Sequence, residues 1–204
     1  MSEVNAAQVR ELRDKTGAGM MDCKRALAES GGDLEKAVVS LREKGLAAAA
    51  KRASRAASEG QVASYIHAGG KIGVLIEVNC ETDFVARTPQ FQALVKDLAM
   101  QVAAANPRYV RREDVGPEVL EAERSIYRAQ AATSGKPAAV LEKIVDGKME
   151  KFFSDACLLE QPFIKEPQRT VGQLVTDAVA QLGENVVVRR FARFQLGEMT
   201  DQAA

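Results

Sequence analysis

At Gly60 the hydrophobic period of the chain changes from about 3.6 residues to 2, and it returns to the longer period after Thr88-Pro89. A helix places apolar residues at i, i+3, i+4 and i+7, whereas a strand places them at every second position. One stretch cannot satisfy both patterns, so the switch confines the possible folds to those with helices on either side of a hairpin. In "KIGVLIEVN", Ile72, Val74, Ile76 and Val78 alternate with Lys71, Gly73, Leu75, Glu77 and Asn79. The preceding "QVASYIHA" alternates as well, and Gly69-Gly70 between the two runs predicts a tight hairpin. A third strand is expected far downstream in "NVVVRRFARFQL", with Val186, Val188, Ala192, Phe194 and Leu196 on one face and Arg190 interrupting it.

Before Gly60 the pattern is helical. Val9 and Leu12 mark a first helix that stops at Thr16-Gly17, and Met20, Cys23 and Leu27 mark a second that runs into Ser30-Gly31-Gly32. Asp33 is the expected N-cap of a third, whose face is Leu34, Ala37, Val38 and Leu41, with Gly45 just past its end. Ala-rich, basic residues 46–59 then read as a helical linker. Beyond the hairpin, Pro89 opens a helix with Phe91, Leu94, Val95, Leu98 and Val102 on one face, ending at Asn106-Pro107. Further helices are expected from about Pro117 to Ala132, around Val140, Leu141, Ile144 and Val145, in a short piece holding Phe152 and Phe153, and from Val171 to Leu182. The fold class is therefore α+β: a three-helix unit over residues 1–45, a linker over 46–59, and a core over 60–204 of a three-stranded antiparallel sheet packed with helices.

Charge and composition narrow the function. Lys plus Arg and Asp plus Glu are 28 each, so no overall basic surface points to nucleic acid, and the absence of Trp argues against base-stacking platforms. The basic run Lys51, Arg52 and Arg55 reads as a solvated linker face. No stretch reaches the ~20 apolar residues of a membrane span, and "MSEVNAAQVRELRDK" is too polar for a secretory signal, so a cytosolic protein with reduced thiols is expected. Three scattered cysteines and one histidine offer no zinc spacing, and neither a P-loop nor a GxGxxG motif is present, so no metal, cofactor or directly bound nucleotide is expected. Cys80 lacks an activating base, and Glu81 with Asp83 lacks a nucleophile beside it. His67, on a strand face with Tyr65, reads as a surface or packing residue.

Two stretches remain. In "TGAGMMDCKRAL", Gly17 and Gly19 permit a tight turn, Met20 and Met21 start the next helix with soft, adaptable side chains, and Lys24 and Arg25 fall on its polar side. In "NCETDFVAR", Phe84 stands next to Asp83 where a loop should begin. Phe84 either tucks under the hairpin and seals the core or projects toward a partner, and periodicity does not choose between the two.

"LRDKTGAGMMDCKRAL" and "VNCETDFVAR" together resemble the two signatures of bacterial elongation factor Ts. "SGKP" at 134–137, "GKMEKFF" at 147–153, "QPFIKEP" at 161–167 and "TVGQL" at 170–174 follow in the family's order, so the resemblance covers nearly the whole chain. It implies guanine-nucleotide exchange on the GTPase elongation factor Tu, by protein–protein contact and without covalent chemistry. It implies that the three-helix unit is UBA-like and docks on the GTPase's nucleotide-binding domain through Met20, Met21 and Lys24. It implies that Thr82, Asp83, Phe84 and Val85 form the stretch whose Phe wedges near the GTPase's magnesium site. Longer members carry two core modules, one with a histidine that His67 matches; this chain has one, which implies a homodimer and a 2:2 complex. The coiled-coil insertion of longer members is expected to be absent. Rival readings are a three-helix module for ubiquitin-like or peptide ligands, an enzyme using Cys80 or Glu81 and Asp83, and an RNA-binding role for Lys51, Arg52 and Arg55.

Overall fold

The computed structural model describes residues 5–133 and 137–198, so of the "SGKP" stretch only Pro137 lies among the described residues. Two compact units emerge, one of Met1–Gln61, Val78–Leu94 and Val175–Val187, the other of Val62–Glu77, Val95–Leu174 and Val188–Ala204.

The first unit begins with three helices, α1 (Ala6–Thr16), α2 (Met20–Glu29) and α3 (Leu34–Arg52). Asn5 and Gln8 form a reciprocal capping box on α1, and Gly17 ends it in the left-handed region at φ 67°, where a side chain would be strained. Asp33 caps α3 by accepting from the Lys36 amide. Leu12, Cys23, Ala26, Leu27 and Ala37 are buried together as the core of this bundle. The expected stop at Gly45 is corrected: α3 runs on to Arg52, because the alanines after Leu46 favour helix. Gly45 has a different use. A Cβ there would stand 3.2 Å from the Ala180 side chain of α8 (Val171–Leu182), so the missing side chain permits close approach of the two helices.

The sheet has the order β1 (Glu59–Ile66), β2 (Ile72–Cys80), β5 (Val187–Gln195). The hairpin closes where the His67 amide donates to the Ile72 carbonyl at 2.9 Å. The Leu196 amide donates to the Lys71 carbonyl, and Arg190 pairs with Glu77, so β5 runs antiparallel to β2. Alternation in β2 buries Val74, Ile76 and Val78 on one face. From the same side of β5, Arg193 donates to the Ala103 carbonyl of α5 (Pro89–Ala105). The opposite face is bare: Val62 and Ile66, Leu75, and Phe194 and Leu196 are all exposed.

That observation corrects the single apolar face expected of the third strand. Val186 and Val188 are buried, whereas Phe194 and Leu196 are not. Arg189 and Arg190 are both exposed in succession, so the alternation slips by one residue between Val188 and Phe191, and a one-residue slip exchanges the faces of all that follows.

In the second unit, α6 (Pro117–Ala132) and α7 (Ala138–Ala156) pack as an antiparallel helical hairpin, tied by Arg124–Asp146 at 3.5 Å and Arg128–Glu142 at 3.3 Å. The expectation that no such inserted hairpin is present is corrected by this pair. Phe152 and Phe153 belong to the last turns of α7 rather than to a separate short helix. Val145, Met149, Phe152 and Cys157 form its core. A two-stranded ribbon, β3 (Pro162–Phe163) and β4 (Glu166–Thr170), escaped the sequence reading, because Pro and charged residues hide any alternation. It is anchored by the fully buried Gln101, which donates to Gln161 Oε1 at 3.1 Å and accepts from the Ile164 amide at 2.9 Å.

Candidate functional site

Past the end of β2 the chain turns once as α4 (Asp83–Ala86). Thr82 is its N-cap, in extended conformation, and its Oγ1 accepts from the Val85 amide at 3.4 Å. On the far side, Thr88 Oγ1 donates to the Val85 carbonyl at 2.8 Å and caps the next helix by accepting from the Phe91 amide at 3.2 Å. Four residues of helix have little stability of their own, so these caps and the partners of the preceding turn hold α4 in place.

Those partners come from the α8–β5 connection. Glu184 Oε2 accepts from the amides of Glu81 at 3.1 Å and Thr82 at 3.0 Å, and its Oε1 accepts from the Thr82 hydroxyl at 2.6 Å. In return Glu81 accepts from the Asn185 amide at 2.7 Å and faces Arg55 at 3.5 Å. Asn185, itself buried, donates to the Arg55 carbonyl at 2.8 Å. Asp83 pairs with Arg87 at 2.9 Å one turn on.

On this clamped turn Phe84 is 80% exposed, while Phe91, seven residues later, is fully buried. Phe84 therefore does not tuck under the hairpin. An exposed aromatic ring on an anchored turn presents a large apolar surface from a backbone that is already fixed, so that only side-chain freedom is lost on contact.

Met20 and Met21 are also exposed, at 50% and 72%, with Lys24 exposed on the same short helix and Cys23 and Leu27 buried beneath it. Met20, Met21, Lys24 and the Thr82–Val85 turn all lie in the first unit. His67 lies in the second, exposed at the hairpin turn, with its Nδ1 3.1 Å from the Tyr65 hydroxyl.

Chemistry of the enzymatic kind finds little support here. All three thiols are buried. Burial raises the thiol pKa of Cys23, and burial together with nearby Glu184 raises that of Cys80. Cys157 is pushed up to about 11 by burial and by Glu160. A thiol held protonated at neutral pH is a poor nucleophile. Glu81 and Asp83 are each committed to structural partners. Arg55 faces Glu81 at 3.5 Å and Arg52 is half-buried, so the basic run is not a uniformly solvated cationic face. Among the described residues no helix is long and apolar enough to cross a membrane.

The family model described as Elongation factor TS matches residues 23–198. The chain belongs to the elongation factor Ts family. An elongation factor Ts from Anaeromyxobacter sp. (strain Fw109-5) is 66% identical over 97% of this chain and 90% of its own length. Those of Carboxydothermus hydrogenoformans, 63% identical over 96% and 90%, and Koribacter versatilis, 61% identical over 98% and 92%, are similar over the same extent. The family model takes in the α4 turn and α2 from Cys23 onward, and Met20 and Met21 stand just ahead of its first matched residue. Glu184 and Asn185 were missed by the sequence reading. A "GEN" between a helix and a strand has the composition of any turn, and no local signal points to a partner 102 residues away.

Proposed function

We propose that the chain is a guanine-nucleotide exchange factor for elongation factor Tu in translation elongation. The observation that carries this reading is Phe84, exposed on a turn clamped from both sides in a chain of the elongation factor Ts family. In this reading Phe84 enters the GTPase near its magnesium site, and Thr82, Asp83 and Val85 shape and support the turn that delivers it. Met20, Met21 and Lys24 dock the UBA-like unit (residues 1–45) on the nucleotide-binding domain, residues 46–59 link it to the core, and residues 60–204 carry the wedge. His67 provides a further contact. The factor acts in the cytosol and needs no cofactor, since it binds the partner rather than the nucleotide.

The physical basis is linkage. Phosphates and Mg²⁺ in a GTPase are held by backbone amides, a lysine and oxygen ligands. A protein that binds best to a conformation in which those contacts are damaged must weaken the nucleotide by the factor by which the nucleotide weakens it. A coupling of about 4 kcal/mol corresponds to roughly a thousandfold change in affinity. Several buried apolar contacts suffice for that, without proton transfer. Release of a fluorescent GDP analogue from elongation factor Tu, chased with excess GDP, tests the reading directly. Substoichiometric factor should accelerate release of all the label, and the absence of acceleration at any factor concentration would end the proposal.

The same reading includes a homodimer and a 2:2 complex. It is supported by the bare sheet face of Val62, Ile66, Leu75, Phe194 and Leu196, since a sheet with one apolar face uncovered calls for a second layer. A second copy of this chain supplies the same apolar chemistry, and in a two-fold interface each residue counts twice. Phe194→Lys should weaken the dimer at least about a hundredfold, because two cations are desolvated per interface. Sedimentation velocity should show twice the chain mass for the wild type and a single chain for the variant at the same concentration. A monomeric wild type at micromolar concentration removes the dimer from the proposal.

A further inference from the structure

We infer that the last residues of α8 and the turn that follows them, residues 181–185, are the positioning element of the exchange site, and that Glu184 is its principal residue. This rests on the wedge reading of Phe84. Thr82 is the N-cap of α4, so the direction in which Phe84 leaves the body follows from the backbone at Glu81 and Thr82. Glu184 takes both amides of that pair on one carboxylate oxygen and the Thr82 hydroxyl on the other. Asn185 completes the clamp from the other side, with its amide on the Glu81 carboxylate and its side chain on the Arg55 carbonyl.

The same segment reaches the other proposed docking element through the end of α8. Gln181 Nε2 donates to the Thr16 carbonyl at 3.1 Å, immediately before the Gly17 turn that leads into Met20. A Cβ on Gly17 would stand 2.8 Å from that nitrogen, so the side chain lies flat against the turn. Three residues within one five-residue segment, Gln181, Glu184 and Asn185, therefore hold the backbone that precedes each of the two docking elements. Neither Gln181 nor Glu184 needs to touch the GTPase for this.

Positioning has a different signature from docking. A wedge that leaves its turn at the wrong angle still lets the factor bind through its remaining contacts, but it displaces the partner's helices less. A misplacement of about 1 Å at a reacting geometry costs on the order of a hundredfold in rate. Glu184→Ala should lower the maximum GDP-release rate at saturating factor by about tenfold or more, while the half-saturating concentration changes by less than about threefold. Hydrogen exchange of the Glu81 and Thr82 amides should quicken in the same variant. Glu184→Asp keeps the charge but withdraws the oxygens by one methylene, so it should fall with the alanine variant even where alanine impairs folding. Glu184→Gln is the rescue: its carbonyl oxygen accepts both amides and its amide group donates to the Thr82 hydroxyl, so its rate should lie close to wild type.

Phe84→Ala measured alongside separates the two ideas. If Phe84→Ala is slow while Glu184→Ala and Glu184→Asp release at the wild-type maximum rate, the positioning role is overturned and the wedge stands. If Phe84→Ala is itself as fast as wild type, the wedge reading fails and takes this inference with it. A slow Glu184→Gln, no better than alanine, also overturns it, since the hydrogen bonds would then not be what matters.

Discussion

Replacing Phe84 by Ala is expected to slow factor-stimulated GDP release from elongation factor Tu by roughly ten- to a hundredfold, because a Phe side chain fully buried in a partner gains about 1.5–3 kcal/mol and each 1.4 kcal/mol is tenfold. The free protein should scarcely notice. Phe84 is 80% exposed, so truncation removes no core contact, and exposed substitutions usually change stability by less than about 0.5 kcal/mol. The contrast with Phe91 is diagnostic. That ring is fully buried, and its loss should destabilise by about 3–5 kcal/mol. Stopped-flow release with the two proteins matched for folded fraction decides the matter. Phe84→Leu retains most of the apolar area and should fall between wild type and alanine. A Phe84→Ala factor with the wild-type maximum rate would place the driving contact elsewhere, with the Met20–Lys24 helix next in line.

Gly60→Ala should be among the most damaging single-methyl additions. Gly60, the second residue of β1, has φ 136°, a conformation costly for any residue with a side chain. An added Cβ would also meet the Val78 carbonyl oxygen at 2.2 Å and the Asn79 Cα at 2.7 Å. Both obstacles are backbone, so no rotamer change relieves them and β2 itself must shift. Strain at a special dihedral together with overpacking points to a loss of about 2–4 kcal/mol. For a chain of this length that corresponds to a fall in Tm of roughly 5–15 °C. The same shift would disturb the backbone just ahead of Cys80 and Thr82, since the Asn79 side chain donates to the Glu59 carbonyl across this junction. Exchange activity of the folded fraction should therefore decline as well. A thermal melt within 2 °C of wild type would show that the strand tolerates the shift.

Much of this is legible in the sequence. The three N-terminal helices follow from apolar spacing and from Asp33 and Gly17, all of which act within a few residues of where they stand. Gly69-Gly70 likewise marked the hairpin between β1 and β2. Both family signatures could be recognised as residues, without knowledge of their placement. Boundaries fared less well where a local signal had two meanings. Gly45 resembles a helix stop, yet it serves close packing against Ala180, and only the neighbour distinguishes these uses.

The sequence by itself determined the main helices, the β1–β2 hairpin, the presence of β5 and the family the chain belongs to, because propensity, capping and alternation are short-range effects encoded in adjacent residues. Tertiary structure decided that Phe84 is exposed, that the apolar residues at the end of β5 are exposed, and that Glu184 grips Thr82. The physical reason is the same in all three cases. Alternation specifies that a strand has an apolar face but not what covers it, and a carboxylate in a turn acquires its role only when folding brings it to amides about a hundred residues away.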